Sequence, residues 1–428
     1  MTLSAACAPL DRRTALALGA GAAAVALAGT SRAAAAPAAP TTAVPGAYGT
    51  TVLAWYDATS AALAAAGAPT QITNSRTWAI GWLAAARAAH TVPGGVPDRD
   101  AYRAAALSGA VHHALVTLVP GHAGQLDATL ARTLAALPAG TARDLGVAAG
   151  RRAAGAVLAD RRGDGLDPAS VNAPYPVPAP APGVWQPTPP DHTPAAQYGN
   201  RLARPFLLPS PSRFRLGPPP ALTSRRYAAD LAEVRAYGAL HSTVRGARQT
   251  ETANFWYGSS LTLYTEPLRV ALARADRDPA EQALSVALFH TTLVDTQIAT
   301  SDSKYAYERW RPVTAIRTGT IDPDPAWTPL HTTPAHPDHP SGHNTYAGAA
   351  EAVLTARFGA RTAPFPLTSP TAPGVTRTYT TWRQLSDDNV EARVLSGIHT
   401  RSADEAGILL GERVARYALA RTVRLLGG

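Results

Sequence analysis

Three short segments of this chain place cations and imidazoles at spacings that could grip an anion. The first holds Lys304, seven positions before Arg311 and Pro312. Lys304 is the one lysine among 39 basic residues, so a compact ammonium stands where every other cation is a planar guanidinium. On an unbroken helix, positions i and i+7 share a face about 10 Å apart. Pro312 stops or kinks such a helix, so the spacing predicts two cations on one face near a carboxyl end. That pair could hold opposite sides of a tetrahedral oxyanion. Glu308, four positions after Lys304, offers the plainer alternative of an ordinary ion pair on a basic face.

The second segment reads His336-Pro337-Asp338-His339-Pro340-Ser341-Gly342-His343. Its prolines forbid a helix up to Pro340, while Asn344 to Phe358 is strongly helical in pattern. Ser341 is therefore expected to cap that helix, with the amides of Gly342 and His343 free at its start. Such an end binds anions. His343 beside it is suited to general acid/base work near neutral pH. A zinc site built from His336, His339 and His343 is the rival reading.

The third segment runs from Arg393 to His399. Six positions on one helix would put the two residues on different faces. Gly397 offers an end to that helix, and Ser402 with Glu405 reads as a capping box for the next. His399 would then hang from a tight connection between two helices.

The elements around these segments read as helical. Alanine, arginine and leucine dominate, and β-branched alternation is rare, so an all-α fold of packed helical bundles is expected. Apolar residues recur at three and four from about Tyr48 to Asp164, predicting helices over 52–66, 75–89, 99–118, 123–136 and 142–159. Pro174 to Pro220 breaks the regularity and predicts an irregular segment on the surface, with Trp185, Phe206 and Phe214 finding burial. Helices resume over 226–238, 250–256, 261–275 and 279–304. The expected organisation is a leader over 1–36, an amino-terminal helical region over 37–165, a proline-rich connection over 166–223, and a helical bundle with the site over 224–428.

The formal charge is +9, but acidic and basic residues alternate and no basic run exceeds two residues. Nucleic-acid binding needs a concentrated stripe or a known motif, so no nucleic acid is expected as a partner. Arg12-Arg13 before an apolar run, followed by Ala34-Ala35-Ala36, reads as a twin-arginine export signal. No other segment approaches a membrane span. A secreted, soluble mature protein without a membrane partner is the expectation. The single cysteine, Cys7, and the single methionine, Met1, both fall in that leader. A mature chain without sulfur suits contact with strong oxidants, which attack Cys and Met first.

Lys304, six residues, Arg311-Pro312; then Pro340-Ser341-Gly342-His343; then Arg393, five residues, His399: this ordered triple resembles the vanadium-dependent haloperoxidases. It is also similar to the related type 2 phosphatidic acid phosphatase superfamily. The resemblance covers about Thr250 to Gly411, and Asn74 to Ala89 resembles secreted actinobacterial members more loosely. It implies a vanadate cofactor with His399 as the axial nitrogen on the metal. It implies that Lys304, Arg311, Ser341, Gly342 and Arg393 hold the equatorial oxygens, with His343 opposite as acid/base. As a peroxidase the chain would use hydrogen peroxide and halide to halogenate a small organic acceptor. His343 would take a proton from peroxide, and Lys304 would polarise the bound oxygen that halide attacks. As a secreted phosphatase, the alternative, His399 would attack phosphorus and His343 would protonate the leaving group. Secretion and the missing sulfur favour the peroxidase, and a homodimer is compatible with it. His336 occupies a position where histidine resembles bromide-oxidising members, and Ser301 replaces a tryptophan of some chloride-oxidising relatives. Two departures leave the group that orients His399 open. Ala392 precedes the arginine where many relatives have serine, and Ala403 stands where many have aspartate, with Asp404 one position further on.

Overall fold

The computed structural model describes residues 49–67 and 70–427. The leader expected over 1–36 lies outside the described residues. The amino-terminal helices are α1 (Gly49–Ala66), α2 (Gln71–His90), α3 (Arg99–Leu118), α4 (Ala123–Ala135), α5 (Thr141–Asp160) and the short α6 (Pro168–Val171). After the proline-rich stretch come α7 (Arg225–Tyr237), α8 (Ala247–Phe255), α9 (Ser260–Arg274), α10 (Pro279–Tyr307), α11 (Pro312–Thr318) and α12 (Gly342–Phe358). A hairpin of β1 (Arg361–Thr368) and β2 (Thr376–Thr381) leads into α13 (Trp382–Leu395), α14 (Arg401–Leu419) and α15 (Thr422–Leu425). The all-α reading holds, with that one hairpin added. Pro364 and Pro366 hid it: they break the alternation, yet a two-stranded ribbon tolerates residues without a ladder donor. Among the described residues no single helix is long and apolar enough to cross a membrane.

Local chemistry explains where the helices begin. Asp98 caps α3 by accepting from Ala101 N at 2.9 Å. Asp278 caps α10 through the amides of Ala280 and Glu281, with Pro279 at the first helical position. Thr381 and Gln384 form a reciprocal capping box at the start of α13.

α10 is the axis on which the rest is assembled. Nearly all of it is buried, and it packs against α2, α12 and α14. It also ties down the proline-rich stretch. Asp295 accepts the amides of Phe206, Leu207 and Leu208 at 2.6, 2.7 and 2.9 Å. Arg161 takes the carbonyls of Arg204 and Pro205 from the other side. Asp302 grips Arg215 in a two-pronged pair at 2.7 and 2.8 Å. Ser301 donates to Gln197 O at 2.6 Å, so its hydroxyl is spent on this stretch. Trp185 is fully buried, while Phe206 and Phe214 are half-buried.

Two features differ from expectation. Lys304 and Arg311 do not share a helix face. Glu308 adopts a left-handed conformation (φ 50°) and ends α10, so Arg311 becomes the residue that opens α11, with Pro312 in its first turn. Glu308 is not the partner of Lys304 either: its carboxylate accepts from the Tyr175 hydroxyl. The capping box expected at Ser402 is also absent. α14 starts two residues earlier, behind Thr400, and Arg226 binds both Ser402 and Glu405.

A buried histidine in α10 makes the fold sensitive to acid. His290 stacks on Trp78 at 4.5 Å with planes 9° apart, and neither ring nitrogen has a protein partner among the described residues. Burial pulls its pKa from 6.5 down to about 3. Protons therefore bind the unfolded chain first. The stability carried by the neutral ring is complete above pH 6.5 and is lost as pH falls toward 3. Between pH 6.5 and 5 the native protein should lose about 2 kcal/mol more than His290→Phe. Denaturant unfolding of both proteins at the two pH values checks this; parallel losses would contradict it.

Candidate active site

The three segments come together around the carboxyl end of α10 and the amino end of α12. Lys304 lies in the last turn of α10, 2 % exposed. Its Nζ donates to Pro337 O at 2.6 Å and Asp338 O at 3.1 Å. An ammonium has three protons, so one remains for another acceptor. Burial, and then the charge of Arg311, hold the Lys304 pKa well below its usual value.

Arg311 is fully buried. Nε donates to His336 O at 2.6 Å, and Nη2 donates to Pro334 O at 3.1 Å and His336 Nδ1 at 2.9 Å. Nη1 donates to Ile398 O at 2.7 Å and lies over the His399 ring, 3.1 Å from Nε2 and 3.3 Å from Nδ1. Four of its five donors thus have protein acceptors. The fifth, on Nη1 beside His399, could pass to an anion.

Arg393 is the opposite case. It is buried in the last turn of α13, and the protein takes Nη1 through Trp256 O at 3.3 Å. Its Nε is buried without a partner among the described residues. Burial lowers its pKa to about 10, as it does for Arg311. A buried guanidinium with unused donors calls for an acceptor from outside the chain.

Ser341 caps α12 by position, but its hydroxyl makes no cap bond. The first amides of the helix, Gly342 and His343, have no intrahelical acceptor and stay available. A Cβ built on Gly342 would find nothing nearer than Lys304 Cε and Thr300 Cγ2, both at 3.9 Å. Space therefore remains between the helix start and the lysine. α14 holds this end in place at Gly407, where an added Cβ would lie 2.7 Å from Ser341 O.

His343 is half-buried and donates Nε2–H to Gly258 O at 3.0 Å. Its neutral ring therefore carries the lone pair on Nδ1. Burial, and then Arg393, hold its pKa well below 6.5. His399 is buried on the connection after Gly397, whose φ of +77° allows the chain to turn there. Its Nδ1 lies 2.6 Å from Asp338 Oδ1. Burial, then Arg311, Lys304 and Arg393, depress its pKa.

His336 is placed by Arg311, which donates to its Nδ1, so Nε2 carries the proton. His339 is buried, edge-on to Tyr307, and neither ring nitrogen has a partner among the described residues. The rival zinc site does not form: among the described residues no three His, Cys, Asp or Glu side chains are grouped to hold a metal ion.

The groups that hold these side chains carry no spacing signal in the sequence. The stretch from Pro334 to Pro340 uses its backbone carbonyls on Lys304 and Arg311 and the Asp338 carboxylate on His399. The loop after α8 supplies Trp256 O to Arg393 and Gly258 O to His343. Backbone acceptors leave no composition signal. Asp338 could have been noticed as an acid enclosed by prolines and histidines. Asp404 accepts from Asn344 Nδ2 at 2.7 Å, away from His399, and burial raises its pKa well above 3.8.

Burial thus favours a neutral Asp404, and Asp338, whose pKa burial also raises, faces Arg311 and Lys304. The cluster has an excess of positive charge, unused donors on Arg393 and Lys304, and free helix amides. This donor set fits a tetrahedral oxyanion such as vanadate or phosphate.

Residues 285–428 match the family model described as the VCPO second helical-bundle domain. No curated protein matches the chain. The crystal structure of the first bacterial vanadium-dependent iodoperoxidase is similar, with a TM-score of 0.70 and 21 % identity over 87 % of this chain and 96 % of that one. An apo-type bacterial vanadium-dependent chloroperoxidase gives 0.64 and 18 %, over 84 % and 96 %. A holo-type bacterial vanadium-dependent chloroperoxidase gives 0.62 and 18 %, over 91 % and 95 %. The chain therefore has the fold of the bacterial vanadium-dependent haloperoxidases, and its last third matches their second helical-bundle domain.

Proposed function

We propose that the protein is a vanadate-dependent haloperoxidase that oxidises halide, with bromide preferred, by means of hydrogen peroxide. The observation that carries this is Arg393, a buried guanidinium with unused donors, beside a helix start whose amides are free. Iodide and chloride oxidation by proteins of the same fold support the class of reaction. Bromide rests on His336, held by Arg311 with its Nε2–H free of that contact.

Bound vanadate would supply a centre that activates hydrogen peroxide as an oxygen donor to halide. The Nε2 lone pair of His399 would face that centre, and Arg311 would donate a hydrogen bond from Nη1 to an oxygen of the anion. Arg393, the third proton of Lys304, the Ser341 hydroxyl and the amide of Gly342 would hold the remaining oxygens and spread their charge. His343 would accept a proton from hydrogen peroxide at Nδ1, the atom that Gly258 leaves free. The third proton of Lys304 would draw electron density from the oxygen that halide attacks. Export through the twin arginines at 12 and 13 belongs to the same proposal, supported by a chain without sulfur beyond Cys7.

The same donors suit phosphate, with His399 Nε2 as nucleophile. Full-length mature protein should therefore be assayed side by side for bromination and for p-nitrophenyl phosphate hydrolysis. Bromination that appears only after orthovanadate is added, and resists chelation of divalent metals, is the expected outcome. Phosphate ester hydrolysis without bromination would assign the site to a phosphatase.

A further inference from the structure

The geometry points to Asp338 as the residue that selects the tautomer of His399, an inference that rests on His399 being the nitrogen that faces the anion. Asp338 Oδ1 lies 2.6 Å from His399 Nδ1. A carboxylate only accepts, so the proton belongs on Nδ1. Arg311 Nη1 lies 3.1 Å from Nε2, 3.3 Å from Nδ1 and 4.0 Å from Asp338 Oδ1, which places it over the ring face and out of line with either nitrogen's lone pair. Asp338 is therefore the partner that sets the tautomer, the one that leaves the Nε2 lone pair free to face an electrophilic centre.

Asp338 is itself held on every side. Thr400 Oγ1 donates to Oδ2 at 2.8 Å, the Asp338 amide donates to Arg309 O at 2.9 Å, and its carbonyl accepts from Lys304. The acid comes from the segment before Pro340-Ser341-Gly342-His343, 61 positions away from His399. The helix after His399 does not supply it. Ala403 has no acid, and Asp404 is turned to Asn344. Asp338 is a positioning residue: it acts on the anion through His399.

A carboxylate that merely balanced the cations, 4.0 Å from Arg311 Nη1, would leave a different signature. Removing its charge would make the site more positive and would tighten anion binding. Loss of the tautomer would weaken it. Asp338→Asn separates the two by sign, because an amide can donate to Nδ1 and drive the proton to Nε2. The full chain, labelled with nitrogen-15 at histidine, should be compared by NMR with Asp338→Asn and Thr400→Val. The His399 signals are identified by their loss in His399→Ala.

The native protein should show the His399 proton on Nδ1. Asp338→Asn should move it to Nε2 and weaken orthovanadate binding roughly 10- to 100-fold. Thr400→Val frees only Oδ2, since the Thr400 hydroxyl makes no cap bond to α14. It should keep the Nδ1 proton and weaken vanadate by a few-fold. A native His399 protonated on Nε2, or an Asp338→Asn protein that binds vanadate as tightly or more tightly, would overturn the inference. Should Asp338→Asn fail to fold, the native tautomer and Thr400→Val decide it. An Nδ1 proton in a native protein that binds no vanadate would uphold the role of Asp338 and reject the haloperoxidase reading.

Discussion

His399→Ala is expected to abolish halide oxidation and vanadate binding while the helices stay folded. The residue sits on the connection between α13 and α14, where Gly397 makes the turn and Thr400 opens the next helix. None of those backbone features needs the imidazole. Its loss removes the nitrogen lone pair that the connection presents among the cations. Arg311 keeps four protein acceptors, and Asp338 keeps the Thr400 hydroxyl. Vanadate affinity should fall at least about 100-fold, and bromination at least about 1,000-fold. The circular dichroism spectrum should be unchanged. Calorimetric titration with orthovanadate measures the first effect; a variant that binds like the native protein would remove His399 from the ligand set.

Lys304 gives the second large effect, and it comes in two forms. Lys304→Ala takes away a buried cation and strands the carbonyls of Pro337 and Asp338. Both vanadate affinity and bromination should collapse, and stability should fall by about 2 kcal/mol or more from the two unsatisfied acceptors. Lys304→Arg keeps the charge but replaces a point donor by a wide, planar fork. Those carbonyls and the space above Gly342 are arranged for an ammonium. Bromination should drop about 100-fold, while vanadate affinity changes much less, because Arg393 still offers its unused donors. Steady-state rates and vanadate titrations on the three proteins test this. An arginine variant with an undiminished rate would show that the ammonium has no special role.

Much of this arrangement could be read from the chain alone, for identifiable reasons. α3 spans the residues its apolar spacing indicated, because Asp98 marks its start. Ser341 stands at the start of α12, as a capping hydroxyl just before a helical pattern indicates. His399 lies on a connection because Gly397 can turn the chain. What was not legible depends on single residues or on distant partners. The break between Lys304 and Arg311 comes from one left-handed residue, Glu308, of a type that ordinarily continues a helix. Pro312 reads as a stop but serves as a start, since its missing N–H costs nothing in a first turn. Ser402 and Glu405 fit a capping pattern, yet Arg226 from another helix claims both. Asp338 meets His399 only through tertiary folding, and no local spacing could join them.

In the proposed oxyanion site of buried cations and free helix amides, the most available donor is Arg393. Calorimetric titration of orthovanadate into the full-length protein, with inorganic phosphate as competitor, tests that site most directly when Arg393→Ala is run alongside. One vanadate per chain is predicted, displaced by phosphate, unaffected by a chelator of divalent metals, and weakened at least about 100-fold in the variant. A native protein that takes up no vanadate, that requires a divalent metal to do so, or whose affinity survives Arg393→Ala would contradict the account.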